Sequence, residues 1–122
     1  MDDRELHERA VKASQRAYAP YSQYLVGAAV LTADGRVFEG VNVENAAYPL
    51  GVCAERTALA RAATDGVRPG EIEAVAITAS PCGGCRQWLY EFRVGRVVYP
   101  SGGRLVARTP GDLLPDTWDD LA

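Results

Sequence analysis

The chain has 122 residues, of which 48% are hydrophobic and 24% charged, and it carries a formal net charge of -3. That length supports one domain with a proper core, and the composition excludes a disordered chain. Thirteen basic residues against sixteen acidic ones argue against a polynucleotide partner, whose backbone needs clustered Lys and Arg.

The N-terminal Met1-Asp2-Asp3-Arg4-Glu5 lacks the basic and apolar regions of a signal peptide. No apolar run is long enough to span a bilayer, so neither a membrane nor a secretory role is expected. A cytoplasmic chain is expected instead, and there cysteines serve more often as metal ligands or redox groups than as disulfides. Three cysteines cannot all pair within one chain in any case.

In chain order, residues 3–18 read as a helix, with Leu6, Ala10, Val11, Ala13, Ala17 and Tyr18 as an apolar stripe and Pro20 ending it. Tyr21-Ser22-Gln23-Tyr24 is a polar, aromatic connector. Tyr21 suits packing on a sheet edge, and Tyr24 stands where it could line a pocket. Residues 25–32 read as a buried strand, Asp34-Gly35 as a hairpin turn, and residues 36–43 as the return strand. Strand alternation puts Asn42 and Glu44 on one face. They are either solvated or able to grip a polyol, since an amide and a carboxylate together bond sugar hydroxyls well.

A loop with Pro49 and Gly51 leads to a helix from Cys53 to about Asp65, which Gly66 ends. A turn over residues 67–71 precedes a strand over residues 74–78, apolar throughout, as suits a sheet covered on both faces. Ser80-Pro81-Cys82-Gly83-Gly84-Cys85 forms the next strand-to-helix turn, and Trp88, Leu89 and Phe92 space out the helix that follows. Short strands over residues 96–99 and 105–107 flank a Ser101-Gly102-Gly103 turn, and the tail holds a further turn or helix before Trp118. The order α-β-β-α-β-α-β-β predicts a three-layer α/β/α sandwich around a mixed five-stranded sheet, with residues 1–122 as one unit.

Two segments hold every cysteine: Cys53-Ala54-Glu55-Arg56 and Pro81-Cys82-Gly83-Gly84-Cys85. Buried thiols are common in cores, but Pro-Cys-Gly-Gly-Cys at a strand-to-helix turn is poorly explained that way. A redox Cys-x-x-Cys pair would leave Cys53 and Glu55 without a role. A zinc ion uses all three thiolates. No fourth ligand is evident, since the only histidine, His7, lies in the first helix. Three ligands and one vacancy is the arrangement of a catalytic zinc site, whose open position holds water. Both cysteine segments open helices, where free N–H groups and the helix dipole favour thiolate. Glu55, two residues from a ligand, becomes a general acid/base candidate. Arg56 becomes a guanidinium able to offset the -1 charge of a three-thiolate zinc.

Cys-Ala-Glu with a later Pro-Cys-x-x-Cys is the signature of zinc-dependent deaminases. More narrowly, the chain resembles the small homotetrameric cytidine deaminases. The match runs through Tyr18-Ala19-Pro20-Tyr21-Ser22, Val26-Gly27-Ala28-Ala29, Gly40-Val41-Asn42-Val43-Glu44-Asn45-Ala46, Cys53-Ala54-Glu55-Arg56-Thr57-Ala58, Ser80-Pro81-Cys82-Gly83-Gly84-Cys85-Arg86-Gln87 and Leu113-Leu114-Pro115.

The resemblance implies one zinc per subunit held by Cys53, Cys82 and Cys85, with a bound water acidified to a pKa of roughly 7. That water attacks C4 of the pyrimidine, while Glu55 takes its proton, delivers it to N3 and helps ammonia leave. It further implies that Asn42 and Glu44 bind the ribose 3′-hydroxyl and that the Ala54 N–H addresses the pyrimidine carbonyl. Tyr24 walls the base, and Trp118 serves as an aromatic donated between subunits of a homotetramer. The substrates it implies are cytidine and 2′-deoxycytidine.

Three features depart from the family pattern. The loop between the strand and Ser80 is several residues shorter, with only Ala79 separating Thr78 from Ser80. Tyr24 and Trp118 stand where phenylalanine is more usual. Two other readings stay open at this point. One is a deaminase of a related nucleoside such as a blasticidin-type antibiotic, against which the ribose-fitting Asn42-Val43-Glu44-Asn45 argues. The other is a non-catalytic zinc or redox module.

Overall fold

The computed structural model describes residues 1–118. Residues 119–122, which the sequence places in the same unit, lie outside that range. In chain order the elements are α1 (Asp3–Ser14), β1 (Gly27–Thr32), β2 (Val37–Val41), a single 3-10 turn (Tyr48–Leu50), α2 (Ala54–Thr64), β3 (Ile72–Ile77), α3 (Gly83–Glu91), β4 (Arg96–Ser101), β5 (Arg104–Arg108) and the short α4 (Pro110–Leu113).

The five strands form one mixed sheet in the order β2-β1-β3-β4-β5. β1 runs antiparallel to both β2 and β3, β3 runs parallel to β4, and the β4–β5 hairpin is antiparallel. The parallel β3–β4 step needs a crossover, which α3 supplies, and α2 carries the chain from β2 across β1 to β3.

Alternation along the inner strands divides the core into two layers. Ala28, Val30, Val75, Ile77, Val97 and Tyr99 face α2 and α3, where they meet Ala54, Ala58, Leu59, Ala62 and Leu89. Ala29, Leu31, Ala74, Ala76 and Val98 face the other way, onto Leu6 and Ala10 of α1. β1 is buried at all six positions because helices cover both of its faces. The three-layer sandwich read from the sequence is the fold observed.

Small residues set how closely the layers meet. A side chain at Gly27 would overlap the Ala10 carbonyl oxygen and lie 2.7 Å from the Ser14 backbone nitrogen, so α1 lies directly on β1. Gly40 plays the same part for α2: a Cβ there would overlap the Ala58 nitrogen and stand 2.6 Å from the Ala54 carbonyl oxygen.

Several boundaries differ from the periodicity reading, two of them for a hydrogen-bonding reason. α1 ends at Ser14 and not at Tyr18, because Tyr18 is spent on an extended bridge to Val43. Its N–H donates to the Asn42 carbonyl at 3.1 Å and its carbonyl accepts from the Glu44 N–H at 2.8 Å. β1 begins at Gly27 and not at Leu25, since the Val26 N–H donates to the Asn42 side chain. β2 stops at Val41 and not at Val43, and β5 is an exposed edge strand. Among the described residues, no helix is long and apolar enough to cross a membrane.

Candidate active site

α2 is fixed to the sheet by its first turn. The Val41 N–H donates to Thr57 Oγ1 at 2.9 Å, and that hydroxyl faces the carbonyls of Val41 (2.8 Å) and Ala54 (2.9 Å). With Gly40 offering no side chain beneath it, the helix start is held at the end of β2. Cys53 is its N-cap in extended conformation, and Glu55 lies in the first turn. As the first residue of α2, Ala54 has an N–H without an acceptor inside the helix.

α3 opens in the same manner. Cys82 is the N-cap, and its Sγ accepts from the Cys85 N–H at 3.4 Å. Arg86 fastens the preceding turn, donating from Nε to the Pro81 carbonyl (2.9 Å) and from Nη1 to the Leu113 carbonyl (3.0 Å).

The two helix starts bring three sulfurs together. The Sγ atoms of Cys53, Cys82 and Cys85 all lie within 4.8 Å of one another; Cys85 is buried, Cys53 half-buried and Cys82 exposed. All three are free thiols. A tetrahedral ion with Zn–S near 2.3 Å sets its sulfurs roughly 3.8 Å apart, so the group needs only a small contraction to hold one. Cys53 belongs to it, which a two-cysteine redox pair would not require. No fourth His, Cys, Asp or Glu joins the group among the described residues, and His7 is in α1. The donor set therefore fits a divalent, thiophilic ion with an open coordination position.

Glu55 is the buried acid of the core, 4% exposed, while most charged side chains of the protein stay in solvent. Burial pushes its carboxyl above the usual range, opposed by its own backbone N–H, the Cys85 thiol and the Arg56 charge. Its contact with Cys85 places it against the sulfur group. Burial also raises the Cys53 and Cys85 thiols, and the nearby Glu55 charge adds to this. Burial works the same way on Cys82, but the Cys85 N–H, the two neighbouring thiols and the Gly84 N–H outweigh it and leave this thiol below its ordinary value. A bound cation would reverse the upward shifts, since a coordinating thiol is deprotonated outright.

Arg56 completes this cluster. Burial disfavours its charge, yet the Cys85, Cys53 and Cys82 sulfurs outweigh that and hold its guanidinium firmly protonated. Its Nη2 occupies the space a side chain at Gly84 would need, and its buried Nε has no hydrogen-bond partner. A cation pressed against three thiols is the counter-charge that a three-thiolate metal site calls for.

Asn42 and Glu44 arrive by a different route from the one alternation predicts. β2 has already ended, and both side chains are tied to the connector over residues 21–26. Asn42 Oδ1 accepts from the Val26 N–H and Asn42 Nδ2 donates to the Tyr24 carbonyl, each at 2.9 Å. Glu44 Oε1 accepts from the N–H groups of Tyr21 (2.9 Å) and Ser22 (3.1 Å), and its Oε2 accepts from the Ser22 hydroxyl. The Ser22 hydroxyl and N–H hold the Glu44 carboxyl below its ordinary value, so it is charged at neutral pH.

Glu44 lines an open cavity of about 380 Å³ with Tyr21, Ser22, Asn45, Tyr48 and Gly51. The Tyr21 ring meets Tyr48 edge-on at 6.0 Å. Tyr24 is 62% exposed and Trp118 77% exposed. Sequence reasoning missed Thr57, Gly40 and Gly84 as the parts that place the site. A Thr one helical turn after Cys53 and a Gly just before Asn42 were the available signals.

Comparison with known proteins agrees with this geometry. Residues 1–101 match the family model described as the cytidine and deoxycytidylate deaminase zinc-binding region. The cytidine deaminase of Sporosarcina psychrophila is 44% identical over 133 aligned positions, covering 100% of this chain and 96% of that protein. That of Mycobacterium tuberculosis H37Rv is 40% identical over 124 positions, covering 95% and 90%. The crystal structure of cytidine deaminase from Burkholderia pseudomallei superposes with a TM-score of 0.90 at 46% identity, covering 97% of this chain and 100% of that one.

Proposed function

The chain belongs to the cytidine and deoxycytidylate deaminase zinc-binding family, and from that premise we propose that it hydrolyses cytidine and 2′-deoxycytidine to the corresponding uridines and ammonia. The observation that carries the reading is the convergence of three sulfurs at two helix starts, with a buried glutamate against one of them. Cys53, Cys82 and Cys85 would hold the zinc. When bound, zinc supplies the Lewis acidity that makes water a competent nucleophile near neutral pH.

The remaining work belongs to the chain. Glu55, whose carboxyl burial raises above its ordinary value, takes the proton of the attacking water and delivers it to N3 of the pyrimidine. As C4 becomes a carbonyl, the same carboxylate takes the second proton from the C4 hydroxyl and passes it to the departing amino group, which leaves as ammonia. The free N–H of Ala54 fixes the C2 carbonyl of the base. Arg56 balances the excess negative charge of the sulfurs. Asn42 and Glu44 hold the sugar, with Glu44 addressed to the 3′-hydroxyl, and Tyr24 covers the base.

Glu44 is charged, and a 5′-phosphate brought near it meets repulsion, which favours nucleosides over nucleotides and over nucleic acid. Tyr24, Tyr48, Leu50 and Trp118 are each more than 60% exposed. A homotetramer in which partner subunits cover these side chains, with Trp118 donated between subunits, accounts for their exposure. Residues 1–122 act as one unit, working in the cytoplasm.

The direct test follows cytidine absorbance with purified protein. Turnover that a chelator abolishes and stoichiometric zinc restores supports the proposal; turnover indifferent to the chelator, or none with zinc bound, refutes it.

A further inference from the structure

The proposed reading gives Glu44 to the sugar, and the structure shows how little of that carboxylate remains free. Its Oε1 accepts two backbone N–H bonds, from Tyr21 and Ser22, which fills the two lone-pair positions of that oxygen. Its Oε2 accepts the Ser22 hydroxyl, leaving one position. The direction of that hydroxyl is itself fixed, because Ser22 Oγ accepts from the Tyr24 N–H at 3.0 Å and so turns its proton toward Glu44.

The turn that makes this possible is strained. Gln23 sits at φ 59°, in the left-handed region that non-glycine residues seldom adopt, and its N–H donates to the Ala19 carbonyl at 2.9 Å. Such a conformation persists when its surroundings over-determine it, and the Glu44 clamp across Tyr21 and Ser22 does so. Tyr21, Ser22 and Glu44 line the 380 Å³ cavity.

We propose that Ser22 is a positioning residue for nucleoside recognition: its hydroxyl aims Glu44 and reduces it to a single acceptor, so that the carboxylate reads one sugar hydroxyl and no more. This rests on the reading that Glu44 faces the sugar. One free acceptor fits the proposed use of both ribose and 2′-deoxyribose: Glu44 has nothing left with which to sense a second hydroxyl.

The test compares cytidine with 3′-deoxycytidine on the parent, Ser22→Ala, Ser22→Thr and Glu44→Gln, with zinc content and melting temperature measured on each. Loss of a charge-assisted hydrogen bond that aims Glu44 is expected to raise the Ser22→Ala KM for cytidine about 10-fold, with kcat within about twofold. For 3′-deoxycytidine the rise is expected to be no more than about twofold, since the group being aimed at is absent. Ser22→Thr keeps the hydroxyl and is expected to restore most of the cytidine KM. An equal KM rise on both substrates, or no rise on either, overturns the role given to Ser22. If Glu44→Gln still discriminates between the two substrates as the parent does, the premise that Glu44 binds the 3′-hydroxyl is what fails.

Discussion

Replacing Gly40 with alanine tests how the metal site is placed without touching any group in it. A Cβ at Gly40 would stand 2.5 Å from Thr57 Oγ1 and 2.6 Å from the Ala54 carbonyl oxygen, and would overlap the Ala58 nitrogen. Ordinary contact needs about 3.4 Å or more, so the start of α2 must recede from β2 by roughly 1 Å. Overpacking of this kind costs about 1–3 kcal/mol. Retreat also loosens the Thr57 bonds to Val41, for about 1 kcal/mol more. At about 4 °C per kcal/mol for a domain of this size, the melting temperature falls by about 8–16 °C. Cys53 caps the displaced turn while Cys82 and Cys85 stay with α3, so zinc content per chain falls as well. Thermal denaturation and metal analysis by mass spectrometry check both effects, with Gly111→Ala as the control, since its nearest neighbour would be 3.9 Å away. A Gly40→Ala protein melting within about 2 °C of the parent with full zinc would refute the reasoning.

Other outcomes follow from single features of the site. Gly84→Ala should displace the Arg56 guanidinium and lower kcat/KM by about 10-fold or more, while Gly83→Ala, with open space beside it, stays within about twofold; equal effects would remove Arg56 from the account. Glu39 is held below its ordinary 4.5 chiefly by the Arg9 side chain, and Arg16 adds to it. A lowered carboxyl contributes stability above its unfolded value that is lost as pH falls through the native one, so Glu39→Gln should flatten melting temperature against pH below about 5; an unchanged slope contradicts this. Cytidine monophosphate should turn over far more slowly than cytidine, and comparable steady-state rates would contradict the placement of Glu44.

The sequence carried the layers of this fold well, because a sheet covered on both faces leaves apolar runs such as Gly27–Thr32 and residues 74–77. The sulfur group was legible for a chemical reason: three cysteines at two helix starts, one acid beside them and no fourth ligand constrain the possibilities tightly. Asn42 and Glu44 were harder. Alternation paired them on one strand face, whereas β2 ends at Val41 and long-range bonds to Tyr21, Ser22, Tyr24 and Val26 decide where they point. Such bonds leave no periodic trace. The early end of α1 has the same origin, since Tyr18 is claimed by Val43 and Glu44 from across the sheet. Gly40 and Gly84 matter through what a side chain would strike, which only the assembled layers reveal.

The account turns on Glu55 as the group that moves the proton while the sulfurs hold the metal. The decisive measurement is therefore Glu55→Gln, assayed for bound zinc and for cytidine turnover on one preparation. The amide keeps the size of the side chain but cannot accept the proton, so zinc should remain at one per chain while kcat falls by about 10²–10⁴-fold. Turnover near the parent's with zinc in place would contradict the account.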